Sequence, residues 1–135
     1  PGANDISRMT PLKTGRAQFS AMGVGSFFAQ EGIDVVGVQS KSMAPKDFVK
    51  MGSKASIDLA YELGRGALEN FPGADGVYIG GGTWLTLPVI RQLEAEFGKP
   101  VISNQVATIW HLLHLLDCWK PISGNGRLRR VMRVA

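Results

Sequence analysis

An apolar strand that runs directly into a glycine-rich turn is the feature that most constrains this chain. Residues 74–79 are mostly apolar, and Gly80, Gly81 and Gly82 follow, with the hydroxyl of Thr83 next. In open α/β sheets, a buried parallel strand that ends in a glycine-rich turn before a helix lies where ligands bind, because strand ends and helix N-termini offer backbone N–H groups. The pattern predicts a pocket for an anion. The turn itself contains no Cys, His, Asp or Glu, so it lacks side chains for acid–base chemistry.

The length and composition predict one globular domain over residues 1–135. Hydrophobic residues make up 44% of the chain and charged residues 19%, which excludes a disordered chain. The apolar runs are shorter than the ~18 residues that a membrane-spanning helix needs, and the first residues do not have the order of a signal peptide. We therefore expect a cytoplasmic protein that does not use a membrane as a partner.

The formal charge of +4 is concentrated near the C-terminus, at Arg127, Arg129, Arg130 and Arg133. Few aromatic residues lie among these arginines, which favours a solvated, frayed end over a nucleic-acid surface. No nucleic-acid partner is expected. The single cysteine, Cys118, cannot form an internal disulfide, and its position after an apolar helix predicts a small core residue.

Apolar periodicity predicts strands that alternate with helices, which is typical of a parallel sheet covered by helices. The predicted strands are Ile6–Thr10, Ile33–Val38, Val77–Gly80 and Lys99–Ser103. The predicted helices are Ala17–Gln30, Ser53–Asn70, Pro88–Phe97 and Gln105–Asp117. A turn is predicted at residues 13–15 and a polar connection at residues 39–45. Gly32 and Gly98 have the positions of helix C-caps, and Ser53 that of an N-cap.

The spacing of apolar residues also predicts which helix faces point inward. For the helix at 53–70 the inward residues are Ile57, Ala60, Tyr61, Gly64, Ala67 and Leu68. For the helix at 105–117 they are Val106, Ile109, Trp110, Leu113 and Leu116.

Polar residues follow the strand at 99–103, next to the predicted glycine turn. We expect Ser103 and Asn104 to face the same crevice as Thr83, where they would help to bind a carboxylate or phosphate. Thr86 offers a second hydroxyl beside the turn. Ser103 or Asn104 also suits the N-cap of the following helix, and the two roles are compatible. The turn matches neither the dinucleotide fingerprint GxGxxG nor a Walker A loop, and no Lys follows the glycines. A plain strand-to-helix connection therefore stays open.

Two histidines and an aspartate have a spacing compatible with metal ligands. His111, His114 and Asp117 are three residues apart along a helix. They flank leucines away from the strand ends, so we interpret the histidines as surface or half-buried residues and expect no metal. The remaining aspartates form no pair on one face that would suit acid–base catalysis.

Five ordered blocks of this sequence resemble the aspartate/glutamate racemase superfamily, in particular its maleate isomerase and arylmalonate decarboxylase branch. They are Gly73–Leu87, Leu93–Glu94, Gly98–Ser103, Ala107–Trp110 and Gly124–Leu128. The resemblance runs from about Phe27 to Leu128 and concerns the second domain of these enzymes; residues 1–16 match poorly, although Met9–Leu12 is similar to the segment that opens that domain.

The resemblance implies a flavodoxin-like α/β fold with a parallel sheet of about four strands covered by helices on both faces. It further implies cofactor-free chemistry in a cleft between two such domains, where a cysteine transfers a proton next to a carboxylate or attacks an alkene. Backbone N–H groups and hydroxyls bind the substrate carboxylates there. In this chain the second-domain cysteine falls at Gly81, and the family tyrosine falls at Leu12 or, by an ungapped count, at Arg16.

The resemblance therefore implies a domain that binds a small carboxylate or dicarboxylate through Gly81, Gly82, Thr83, Ser103 and Asn104, with no cofactor and no identified catalytic residue. Its chemistry is expected to be impaired because glycine replaces cysteine at position 81. The alternative is a catalytically inactive carboxylate-binding or oligomerisation module. Either a homo-oligomer or a missing first domain is expected to cover the exposed cleft wall.

Overall fold

The structure, a computed structural model, describes residues 8–14, 25–81, 85–118, 120 and 126–127. The strands are β1 Arg8–Thr14, β2 Asp34–Val35, β3 Gln39–Lys41, β4 Gly76–Ile79 and β5 Val101–Ser103. Helix α1 contains residues 25–30. The other helices are α2 Pro45–Val49, α3 Ser53–Asn70, α4 Leu87–Phe97 and α5 Asn104–Leu115.

The strands form a parallel sheet in which β1 and β4 are central. Strand β4 pairs with β1 on one side and with β5 on the other, while β2 and β3 both pair with the outer side of β1. Every pairing is parallel, so the carboxyl ends of all strands point to the same edge of the sheet. The predicted parallel α/β architecture is confirmed, and this carboxyl edge is where such folds place ligands.

The first two predicted strands differ from the structure. Strand β1 continues through Pro11 to Thr14, so the predicted turn at residues 13–15 is wrong for residues 13 and 14. Of the predicted strand at 33–38, only Asp34–Val35 form a strand, β2. After a break at residues 36–38 the chain rejoins the sheet as β3, which lies in the predicted polar connection. Pro11 explains the division: it has no N–H to donate to a neighbouring strand, and the interruption at residues 36–38 falls opposite it.

One face of the sheet carries the hydrophobic core, which α3 and α4 cover. Val77 and Ile79 of β4 and Val101 of β5 pack against these helices and are almost fully buried. On α3, four of the six residues predicted to face inward are buried, namely Ala60, Gly64, Ala67 and Leu68. Ile57 and Tyr61 are only partly buried, whereas Ser56, Leu59 and Leu63 are buried and complete the inward stripe.

Among the described residues, fewer side chains cover the opposite face of the sheet. Tyr78 points to this face, since side chains alternate along a strand, and its ring contacts Phe28 of α1 in an edge-to-face arrangement at 5.3 Å. Residues 17–24 of the predicted first helix lie outside the described residues. The helix ends as predicted at Gly32, which has a φ of 76°.

The inward face predicted for α5 is only partly correct. Val106 is buried and Trp110 and Leu113 are half-buried, but Ile109 and Leu116 are 41% and 71% exposed. Strand β5 is the outermost described strand on this side. The flank of α5 that carries Ile109 and Leu116 therefore has no described strand beneath it.

Two further predictions, about the start of α3 and about the cysteine that follows α5, are corrected. Gly52, not Ser53, is the N-cap of α3, and no side chain caps this helix. Cys118 is exposed rather than buried; it follows the end of α5 at Leu115 and the left-handed φ of 52° at Asp117. Pro88 in the first turn of α4 and Gly98 at its C-cap, with φ 67°, agree with the prediction.

No helix in the described part of the chain is both long enough and apolar enough to cross a membrane.

Candidate functional site

The candidate site lies at the carboxyl edge of the sheet, where β4 and β5 end side by side. Ile79, the last residue of β4, pairs with Ser103, the last residue of β5. Gly80 is buried and Gly81 is exposed, so the chain emerges to the surface directly beyond this pair. The predicted site residues Gly82 and Thr83 lie outside the described residues.

Gly81 has a backbone conformation that restricts which residue can replace it. Its φ is 112°, in the region that L side chains rarely adopt and glycine adopts readily. A cysteine at this position would be strained unless the backbone of the turn changed. The glycine therefore supplies backbone N–H and C=O groups at the edge, and no side chain.

A cluster of hydroxyl and amide groups lies beneath the turn. Thr86 Oγ1 lies 3.1 Å from Ser103 Oγ and 2.9 Å from Gln105 Oε1, and its one hydroxyl hydrogen is within reach of both oxygens as acceptors. Ser103 Oγ also accepts the N–H of Val106 at 3.3 Å, so Ser103 is the N-cap of α5. The capping role considered for Ser103 is confirmed, and its side chain is fully buried.

The connection from β4 to α4 is held to α3 as well. The N–H of Leu85 donates to Ser56 Oγ at 3.3 Å, and Ser56 lies in the first turn of α3. This contact brings the N-terminus of α3 to the same edge as the N-termini of α4 and α5. Both described residues that precede α4, Leu85 and Thr86, are thus tied to neighbouring elements.

Asn104, the other polar residue predicted from the strand end, is the first residue of α5. Its side-chain oxygen is buried, and among the described residues no donor hydrogen-bonds to it. A buried acceptor without a donor is costly. Asn104 Oδ1 is therefore an acceptor that a rearranged turn or a bound molecule with an N–H or O–H would satisfy.

The electrostatics of this edge depend on the three helices that begin there. None of α3, α4 and α5 has an acidic residue in its first turn, whereas the short helix α2 has Asp47 there. The partial positive charge at a helix N-terminus is commonly balanced by Asp or Glu. At this edge it is not balanced by a first-turn carboxylate, so the arrangement favours a bound anion.

The other candidates from the sequence lie apart from this edge. His111 is exposed, and His114 is half-buried with its Nδ1 2.7 Å from the carbonyl oxygen of Trp110 within α5. In the described part of the chain no three His, Cys, Asp or Glu residues are grouped as a metal site would require. Arg127 is anchored rather than frayed, because its Nη2 donates to Gly98 O at 2.7 Å and its N–H donates to Glu94. The other three arginines of the basic end lie outside the described residues.

The sequence pattern predicted the edge but not all of its members. Thr86 was singled out only as an alternative hydroxyl, and Ser56 was not predicted at all. The sequence did offer a signal for Ser56, because it lies near the start of a helix on an otherwise apolar inward face. A buried serine there needs a hydrogen-bond partner.

The sequence matches the arylmalonate decarboxylase family over residues 15–129. No curated protein sequence matches this chain. Among solved structures, unliganded arylmalonate decarboxylase is similar with a TM-score of 0.77 and 26% identity, over 92% of this chain and 52% of that protein. A variant of that enzyme in a sulfate-ion-associated form is similar with a TM-score of 0.73 and 26% identity, over 90% of this chain and 51% of that protein.

A more distant solved structure shares the fold. A variant of the maleate isomerase Iso from Pseudomonas putida S16 with maleate has a TM-score of 0.72 and 21% identity, over 92% of this chain and 48% of that protein. This chain spans about half the length of these proteins. Because the family match covers most of the chain, and the structural similarity agrees with it, the chain belongs to the arylmalonate decarboxylase family.

Proposed function

We propose that this domain binds a small carboxylate or dicarboxylate at the carboxyl edge of its sheet, and that Gly81 leaves it impaired in the decarboxylation for which its family is named. The observation that carries the proposal is the meeting of three helix N-termini, none with an acidic residue in its first turn. An anion at that edge gains from backbone N–H groups and from the helix dipoles together.

The hydroxyl cluster supports the same proposal through rigidity. Thr86 ties the start of α4 to Ser103 and Gln105, so the edge is held in place before a ligand arrives. A preorganised set of donors binds a carboxylate without a further cost of ordering. Gly81, Gly82, Thr83, Ser103 and Asn104 are the residues proposed to form the site.

The rim of the edge suggests which carboxylates fit. Leu85 and Leu87 are 45% and 41% exposed, so apolar surface lies beside the proposed anion site. A carboxylate with an apolar substituent would use both parts. The related proteins agree in chemistry: one arylmalonate decarboxylase structure is associated with sulfate ion, and one maleate isomerase structure contains maleate.

The alternative function is a catalytically inactive module that only binds a carboxylate or assembles with another domain. The φ of Gly81 favours it, because cysteine at this position is both absent and sterically disfavoured. The two functions share a binding site and differ in turnover. No cofactor enters either proposal.

Titration with malonate, phenylmalonate, maleate and sulfate, followed by thermal unfolding and by NMR shifts of the backbone amides, tests the proposal. We expect saturable stabilisation by at least one dicarboxylate, with the largest shifts at Gly81 and Leu85. Leu85→Asp places a negative charge at the edge and should abolish the stabilisation. Asn70→Asp adds the same charge at the far end of α3, about 25 Å along the helix from its first residue, and should leave binding unchanged.

An assay for decarboxylation and isomerisation separates the two functions. Binding with turnover by this chain would show that Gly81 does not prevent catalysis, and binding without turnover supports the inactive module. If none of these anions stabilises the domain, both carboxylate-binding functions fail, and only a module that assembles with another domain is left.

A further inference from the structure

Helix α5 exposes a continuous apolar row that the rest of the described chain does not cover. Ile109, Leu112 and Leu116 follow one another at helical spacing along one side, and Leu115 adjoins them. Their exposed fractions are 41%, 49%, 71% and 61%. We call these four residues the α5 stripe.

The absence of charge on this helix limits what can cover the stripe. Residues 104–115 contain no Asp, Glu, Lys or Arg. A membrane surface with anionic lipids is recognised by helices with a basic polar face, and a strongly charged protein partner by complementary charges. Helix α5 has neither feature, so the stripe fits a second apolar surface without charge.

We propose that the α5 stripe is the contact through which two copies of this chain form a symmetric dimer. A two-fold axis near Leu112 pairs the two stripes antiparallel, with Ile109 of one copy near Leu116 of the other. The surface is then complementary to itself: apolar residues meet apolar residues, and no like charges meet along the helix. Antiparallel pairing also sets the negative end of one helix dipole beside the positive end of the other.

The size of the stripe determines how strong this dimer is. The exposed parts of its four side chains amount to roughly 400 Å² per copy, about half of what a stable interface buries on each partner. We therefore expect a reversible dimer that forms as the protein concentration rises.

Sedimentation velocity over a concentration range from roughly 5 to 500 μM tests the dimer, since weak interfaces of this size dissociate in that range. We expect the mass to rise from that of the 14.5 kDa monomer toward twice that value. Leu112→Lys should stay monomeric throughout, with circular dichroism and melting temperature checked against the wild type. Val49→Lys is the matched control, because Val49 is an 83% exposed apolar residue on α2, and it should dimerise normally.

Two outcomes overturn the dimer. One is a wild-type chain that stays monomeric at the highest concentration, which would leave a different domain as the occupant of the stripe. The other is a Leu112→Lys variant that dimerises as the wild type does. If Leu112→Lys fails to fold, Leu116→Lys replaces it, since Leu116 is the most exposed member of the stripe.

Disulfide trapping tests the antiparallel geometry. In a Cys118→Ser background, which removes the only native cysteine, Leu112→Cys should form a disulfide-linked dimer on mild oxidation because each copy of residue 112 faces the other near the axis. Val49→Cys in the same background should not. A dimer in solution that Leu112→Cys fails to trap contradicts the proposed axis.

Discussion

Glu94 on α4 accepts the backbone N–H of Arg127 with both carboxylate oxygens, at 3.0 and 3.2 Å, although the two residues are 33 positions apart. The same carboxylate accepts the N–H of Val101 at the start of β5, at 3.1 Å. One side chain therefore holds β5 and the segment at residues 126–127 against α4. Hydrogen bonds to a charged acceptor are stronger than those between neutral groups.

Glu94→Ala should destabilise the domain by about 2 kcal/mol, because two backbone N–H groups lose a charged acceptor. Glu94→Gln keeps one acceptor oxygen and should lose about half as much. Urea unfolding measures both values. The control is Glu62→Ala, an exposed residue of α3, which should change stability by less than about 0.5 kcal/mol. Equal effects of the two alanine variants would contradict the role of Glu94.

Gly126→Ala should destabilise the domain for two reasons. Gly126 has a φ of 83°, and a Cβ there would lie 2.6 Å from Ile90 Cγ2 in the core. We expect a loss of about 2–4 kcal/mol, from strain and overpacking together. Gly98→Ala separates backbone strain from overpacking, because Gly98 has a φ of 67° but no atom within 4 Å of the added Cβ. It should cost only about 1 kcal/mol. The same loss in both variants would mean that Ile90 moves aside without cost.

Stability should fall in alkaline solution partly because of Tyr78. Burial against the sheet raises the pKa of Tyr78 above its usual value near 10. The phenol is thus neutral in the folded chain where it is already ionised in the unfolded one. The contribution of the neutral Tyr78 phenol to the free energy of unfolding is complete below about pH 10, and it is lost as the pH rises through the pKa of the folded state. Tyr78→Phe should flatten the decline of melting temperature above about pH 10 and leave it unchanged below that pH.

Tyr61→Phe is the comparison for Tyr78. A hydrogen bond to the Glu96 carboxylate raises the pKa of Tyr61 first of all, and burial adds to it. Tyr61 is only partly buried and this hydrogen bond is exposed to solvent, so solvent screening weakens its effect on stability. A stronger flattening by Tyr61→Phe than by Tyr78→Phe would show that burial at Tyr78 is not the cause.

Thr86→Val should loosen the carboxyl edge while keeping the shape of the side chain. The variant removes the hydroxyl that reaches Ser103 and Gln105, and Thr86 is only 2% exposed, so water cannot replace it. We expect a loss of about 1–2 kcal/mol by urea unfolding, with Thr86→Ser closer to the wild type. Faster amide hydrogen exchange at Leu85 should accompany the loss. Unchanged exchange would show that the cluster does not hold the turn.

Local signals in the sequence predicted the ends of most elements. Glycines with left-handed φ end the helices at Gly32 and Gly98, and Ser103 caps α5, because these conformations and hydrogen bonds depend on a few neighbouring residues. The position of the candidate edge followed from the same reasoning, since a strand that ends in glycines before a helix fixes where the backbone turns.

Long-range contacts explain what the sequence did not predict. Ile109 and Leu116 are exposed because β5 is the outermost described strand on their side of the sheet. The apolar periodicity of α5 carries no information about the order of the strands. The roles of Ser56 and Glu94 depend on partners 29, 7 and 33 residues away. The division of β2 from β3 depends on a proline in a different strand. Each of these needs the topology before the residue can be interpreted.

The backbone torsion at Gly81 penalises every L residue at this position, a cysteine nucleophile included. A single substitution of Gly81 by cysteine would add the thiol, but it would not change the backbone conformation of the turn to one that cysteine adopts readily. Laboratory evolution toward turnover in this scaffold should therefore begin with insertions or paired substitutions across residues 80–86, before any search among single replacements at position 81.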